Sequence, residues 1–146
     1  MKINSVIIDD EELAQQTLEL LLSEFSPEVN IIGFANNALS GIQIIKDVKP
    51  DLVFLDVEMS GGTGFEMLDA MENINFDAIF VTAHREFALK AFKYEALDFL
   101  LKPVDPDELI NAVNRYKKRV TPDDKIDHRM DLVKSLPLMN TKVPLP

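Results

Sequence analysis

The chain alternates between two rhythms: short unbroken apolar runs, and stretches in which apolar residues return every third or fourth position. The unbroken runs are Val6-Ile7-Ile8, residues 29–34, Leu52-Val53-Phe54-Leu55, Asp77-Ala78-Ile79-Phe80-Val81-Thr82 and Asp98-Phe99-Leu100-Leu101. Each reads as a strand buried on both faces. Between them the period becomes helical. Leu13, Ala14, Thr17, Leu18, Leu21, Leu22 and Phe25 form a first stripe, stopped by Ser26-Pro27. A second helix opens at Asn36-Asn37, carries Gly41, Ile42, Ile45 and Val48 on one side, and ends before Pro50. Phe65, Leu68 and Met71 mark a short third one. Phe87, Ala88, Ala91 and Phe92 mark a fourth, with Phe87 and Phe92 expected in the core and Lys90 and Lys93 turned outward. Leu109, Ile110, Val113 and Tyr116 carry the last, with Asp105 or Asp107 at its start.

Five strands alternating with five helices predict an α/β fold, a doubly wound parallel sheet with helices on both faces. Of the two common arrangements the shorter has strand order 2-1-3-4-5, the flavodoxin-like order. It sets strands 1 and 3 side by side, about 5 Å apart. Open sheets of this kind hold ligands at the carboxyl ends of their strands. Here those ends carry Asp9-Asp10, Asp56, Thr82 and Lys102, and the glycine-rich loop Ser60-Gly61-Gly62-Thr63-Gly64 follows Asp56 closely.

Three carboxylates on neighbouring strand ends repel one another unless a cation or proton intervenes. Hard oxygen donors select Mg²⁺, which keeps several waters when it has one or two carboxylates. Lys102 adds a fixed positive charge, and the Thr82 hydroxyl and the loop amides add donors. An acid nucleophile, a metal, a lysine and a hydroxyl suit transfer of a phosphoryl group onto Asp56. Glu11 and Glu12 are better read as first-turn acids favouring a helix N-terminus. The glycine loop is no nucleotide-binding P-loop, since no Gly-Lys-Ser/Thr follows; it reads as turns needing positive φ. His84 lies near the crevice mouth, either as a modulator of water access or as a plain loop histidine.

Composition narrows the partners. Twenty-five acidic against fifteen basic residues give a net charge of −10, which argues against non-specific binding of DNA or anionic membrane by this segment. No cysteine is present, so disulfide and thiol chemistry are excluded, in keeping with a cytoplasmic setting. No apolar run approaches the roughly 20 residues of a membrane helix. The first strand runs straight into Asp9-Asp10-Glu11-Glu12, which is not the pattern of a signal peptide. Beyond about Arg119 periodicity fades, and four of the eight prolines fall there. Residues 120–146 are expected to be a linker that ends as if cut at Lys142-Val143-Pro144-Leu145-Pro146.

Taken together, Asp9-Asp10, Asp56, Thr82-Ala83 and Lys102-Pro103 resemble the receiver domain of a two-component response regulator, over residues 2–119. Thr82-Ala83-His84 and Tyr94-Glu95-Ala96-Leu97-Asp98-Phe99-Leu100-Leu101-Lys102-Pro103 are similar to the LytTR subgroup, whose regulators carry a C-terminal DNA-binding domain. The final residues resemble the start of that domain, so the DNA reader is expected to be missing here. The resemblance implies that Asp56 accepts phosphate from a partner histidine kinase. It implies direct Mg²⁺ ligation by Asp10 and Asp56, a contribution from the Glu58 backbone carbonyl, and a water-mediated one from Asp9. Thr82 and Lys102 would contact the phosphoryl group, Phe99 would be the aromatic whose rotamer follows Thr82, and the Lys102-Pro103 bond would be cis. Phosphorylation would alter the face around the fourth helix, fifth strand and fifth helix, where Lys90, Lys93, Asp98 and Arg115 are candidates for a homodimer contact. One departure stands out: Ser60 occupies a loop position where the family usually has proline.

Two rival readings follow from the same residues. A Mg²⁺-dependent aspartyl-phosphate phosphatase would need an acid two residues after Asp56 as general acid/base. Glu58 stands there, but followed by Met59-Ser60 and with no cap domain in the chain. A receiver-like interaction module that is never phosphorylated would not need the full set of acids, hydroxyl and lysine. The leading expectation is a switch that phosphorylates itself from a phosphodonor, dephosphorylates slowly, and controls an output domain.

Overall fold

In a computed structural model, residues 1–121 are described. The elements run β1 (Ile3–Ile8), α1 (Glu12–Phe25), β2 (Val29–Ala35), α2 (Ala38–Val48), β3 (Leu52–Leu55), α3 (Gly64–Asp69), β4 (Asp77–Thr82), α4 (Ala88–Lys93), β5 (Asp98–Leu101) and α5 (Pro106–Val120). A 3-10 turn at Arg85–Phe87 leads into α4. All strand pairs are parallel and the order is β2-β1-β3-β4-β5, the doubly wound order expected. The expected tail, residues 120–146, lies almost wholly outside the described residues.

Two compact units divide the chain. Met1–Ala112 contains the whole sheet and every candidate site residue; the second begins at Val113, within α5. In the first unit β3 is central, and Leu52, Val53, Phe54 and Leu55 are all within 1% of full burial. Alternation along the strands sends Val6, Ile8, Val53, Leu55 and Phe80 to one face. There they form a core with Ile45 of α2, Phe65, Met67 and Leu68 of α3, and Ala91 of α4. Ile7, Phe54 and Ile79, offset by one residue, are buried as well.

The helix ends follow local chemistry. Asn37 accepts the Ser40 amide at 2.8 Å and caps α2. Thr63 and Glu66 form a reciprocal capping box on α3. Asp105, of the two acids considered, accepts the Glu108 amide at the start of α5.

Two expectations about the core are corrected. Phe92 is 78% exposed, not buried. The inner line of α4 and its flanks is Phe87, Ala91 and Tyr94, spaced four and three apart, and Phe92 falls one 100° step outside it. Phe87 is half-buried against the core as expected. On α1, Leu18 and Leu22 are buried, whereas Leu13 is 75% exposed. Leu18 and Leu22 lie about 140° and 180° around the helix from Leu13, which therefore faces solvent.

Candidate functional site

The parallel ladders run one residue beyond each strand, and this sets the site. Asp9 donates its amide to the Ala35 carbonyl, Asp56 to Ile8, and Lys102 to Thr82, at 2.9–3.0 Å. With Ile8 opposite Leu55 in the register, Asp9 and Asp56 emerge side by side. One carboxylate oxygen from each of Asp9, Asp10 and Asp56 lies within 4.8 Å of the other two. Lys102 reaches in from β5, its Nζ 2.7 Å from Asp9 Oδ2 and 3.1 Å from Asp56 Oδ2. The Lys102-Pro103 bond is cis.

Burial makes the arrangement energetically tense. Asp9 and Asp56 are buried, while Asp10 is exposed. Desolvation pushes the Asp56 carboxyl above its usual range, and the Asp9 charge adds to this. The Lys102 charge and hydrogen bond, with help from the Thr82 hydroxyl, oppose the rise without cancelling it. For Lys102, burial acts downward, but hydrogen bonds and charges of Asp9 and Asp56 outweigh it and raise the ammonium pKa. Three acids thus face one certain cation. Asp56 Oδ1 is buried with no hydrogen-bond partner among the described residues. An orphaned buried carboxylate oxygen beside two further acids is a donor set that a hard divalent cation such as Mg²⁺ fits.

The loop after β3 is shaped to this end of the sheet. Gly61 and Gly62 have φ of 81° and 136°, as the glycine run suggested. Gly64 donates its amide to the Val57 carbonyl at 2.8 Å. A Cβ on Gly64 would lie 2.5 Å from the Asp56 backbone oxygen, so only glycine allows α3 to start so close to the end of β3.

The remaining candidates are placed differently. Thr82 is fully buried and its hydroxyl accepts the His84 amide at 3.4 Å. The Glu58 side chain pairs with His84 Nε2 and is not a member of the acidic cluster, leaving its backbone as the part available to the expected ligand role. His84 also has Glu86 at 3.6 Å from Nδ1 and meets the edge of the Phe87 ring. Phe99 is half-buried, packed on the core opposite Phe80. Two contacts had no counterpart in the sequence reading: His84 with Glu58, and Ser60 with Asp10, the Ser60 amide at 3.1 Å and its hydroxyl at 3.4 Å from Oδ2. Both join loops far apart in the chain, so no spacing pattern announces them.

A five-stranded parallel sheet in this order, with acids and a lysine gathered at its carboxyl edge, defines a class of signalling domain. The chain belongs to the response regulator receiver domain family, whose profile matches residues 6–114. Among relatives, an uncharacterized response regulatory protein of Vibrio vulnificus is 43% identical over 117 residues, covering 80% of this chain and 48% of that protein. The sensory transduction protein LytT of Bacillus anthracis is 40% identical over 116 residues, covering 78% and 47%. The transcriptional regulatory protein BtsR of Shigella flexneri is 38% identical over 117 residues, covering 80% and 48%. The chain spans about half the length of these curated relatives. Among solved structures, the response regulatory domain of protein mrkE from Klebsiella pneumoniae matches with a TM-score of 0.72 and 28% identity, over 80% of this chain and 97% of that one. A LuxR-family DNA-binding response regulator from Staphylococcus aureus gives 0.70 and 25%, over 78% and 98%.

Proposed function

We propose that this domain is a phosphorylation-operated switch whose acceptor is Asp56. The observation that carries the reading is the buried Asp56 carboxylate in a cluster of three acids, one oxygen held by Lys102 and the other without a hydrogen-bond partner among the described residues. An Asp56 oxygen attacks phosphorus, the bond from phosphorus to a histidine nitrogen of a partner kinase breaks, and the imidazole leaves with that electron pair and regains a proton from solvent. Asp10, Asp56 and the Glu58 carbonyl, with Asp9 acting through water, would hold Mg²⁺, which would supply charge neutralisation for the transferring group. Lys102 and Thr82 give the acquired phosphoryl oxygens a charge-assisted and a neutral hydrogen bond.

The same two residues make the modification a switch. Thr82 and Lys102 bind the phosphoryl group in one arrangement only, and Phe99 follows Thr82, so the added group favours one of two states. Moving a population from mostly off to mostly on takes about 5.5 kcal/mol of differential binding. The altered face comprises α4, β5 and α5 and serves a homodimer. The names of LytT and BtsR, and the half or so of each that lies outside the matched segment, support a LytTR-type regulator with a DNA-binding output domain. A phosphatase is disfavoured because Glu58, its would-be general acid, is engaged by His84.

Incubation with radiolabelled acetyl phosphate and Mg²⁺ tests the acceptor. Labelling is expected for the wild type and absent for Asp56→Asn; equal labelling of the two rejects the assignment.

A further inference from the structure

We infer that Ser60 sets the affinity of the acidic cluster for its divalent cation by orienting Asp10, an inference that rests on the metal reading of that cluster. Asp9 and Asp56 are buried and tied by Lys102, so their carboxylates are already positioned. Asp10 is the exposed member, and its side chain has no restraint of that kind. What holds it is Ser60, which presents two donors to one oxygen: the backbone amide at 3.1 Å and the hydroxyl at 3.4 Å, both to Oδ2. A carboxylate accepts at about four lone-pair sites. Ser60 therefore leaves the other oxygen, and part of Oδ2, available for a cation. The contact orients the ligand without blocking it.

The loop makes this grip durable. Behind Ser60 the positive-φ pair Gly61 and Gly62 turns the chain, and the Gly64 amide closes the loop onto Val57. Asp10 and Ser60 also share the rim of an open hollow with Asn36, Asn37, Leu39 and Gly61. A cation that keeps several of its waters can be reached from that side. The unpartnered Asp56 Oδ1 is the independent sign that the cluster awaits a ligand. Hydrogen-bond partners of metal ligands typically contribute about 10- to 100-fold in metal affinity. The amide is the nearer donor, so Ser60 acts chiefly through its main chain, and a proline here would remove that donor altogether.

Calorimetric titration of the whole chain with MgCl₂ tests this, using Ser60→Pro, Ser60→Ala and Asp10→Asn beside the wild type. Ser60→Pro is expected to bind Mg²⁺ about tenfold more weakly, and Ser60→Ala within about threefold of wild type because the amide remains. Independently of folding in the proline variant, the Ser60 amide resonance in Mg²⁺-free protein is expected to shift upfield in Asp10→Asn. Wild type and a folded Ser60→Pro binding equally overturns the inference while leaving the metal site standing. An amide resonance indifferent to Asp10→Asn overturns it as well. A wild type that takes up no Mg²⁺ removes the metal reading beneath it.

Discussion

The two ends of the sheet differ in what they hold. At the amino end, beside the starts of β3 and β4, lies a hollow of about 520 Å³ lined by Ile45, Lys46, Lys49, Pro50, Met71 and Phe76 among others. Its nearest strand acid, Asp51, is exposed, and its carboxylate accepts the Asn4 amide at 3.0 Å. The carboxyl end has a hollow of the same volume that is more open to solvent, but Asp9 and Asp56 are buried there against their own repulsion, with one oxygen of Asp56 unsatisfied among the described residues. Shape alone selects the amino end; electrostatics selects the other. Folding free energy spent on holding like charges out of water marks a site more reliably than an enclosed shape does.

The largest effect is expected from removing the one cation that makes the carboxyl end tolerable. In Lys102→Met, Asp9 and Asp56 remain with side chains only 7% and 8% exposed and no counter-charge. Urea unfolding at neutral pH without Mg²⁺ is expected to show a loss of roughly 3 kcal/mol. Adding Mg²⁺ should recover part of it. The pH dependence has a definite sign. Because the Lys102 pKa is raised in the folded state, its contribution is complete below the usual 10.5 and disappears as pH rises through the higher folded value. Wild type should therefore weaken at strongly alkaline pH, and the variant should lack that component. A loss below 1 kcal/mol would show the acids to be less strained than their burial indicates.

A smaller change of opposite direction is expected from Asp56→Asn in Mg²⁺-free buffer. The folded pKa of Asp56 lies above its usual 3.8, chiefly through burial, so the folded state holds the proton more firmly than the unfolded chain does. Its favourable contribution is present at acid pH and is lost as pH rises through the folded value. At neutral pH the ionised group opposes folding, and a neutral amide relieves this. Thermal melts are expected to show the variant more stable by about 1 kcal/mol at pH 7, with the advantage fading toward acid pH. The proposed acceptor site would then be one where function opposes stability. A variant less stable than wild type at pH 7 would contradict that.

Much of this was legible in the chain, for identifiable reasons. Strands β3 and β4 occupy the runs read for them, residues 52–55 and 77–82, because a central parallel strand has no polar face and its apolar run starts and stops sharply. Given the strand order, the meeting of Asp9, Asp10, Asp56 and Lys102 follows from topology. Helix phase was less legible: Leu13 and Phe92 sit among apolar residues at helical spacing, yet both face solvent. Leu13 lies about 180° around its helix from the buried Leu22, and Phe92 about 100° from the buried Ala91, so a broad apolar stripe does not say which of its edges meets the sheet. Contacts between loops, such as Ser60 with Asp10 and His84 with Glu58, obey no period. They depend on how two turns approach, which only the assembled fold decides.

The smallest effect belongs to the amino end and tests the comparison from the other side. Lys49 lines the hollow there and closes α2 with φ 48° and ψ 65°, the left-handed conformation that a side chain disfavours. Relieving it with Lys49→Gly gains roughly 1 kcal/mol in the folded state. Glycine also enlarges the unfolded ensemble, which takes back about 0.5–1 kcal/mol. The two nearly cancel, so urea unfolding should move by no more than about 0.5 kcal/mol. Mg²⁺ affinity and acetyl phosphate labelling should not move at all, because Lys49 lines the hollow at the amino end of the sheet. If labelling changed while stability held, the hollow and the acidic cluster would be coupled through the sheet, and the division between an inert end and a reactive one would fail.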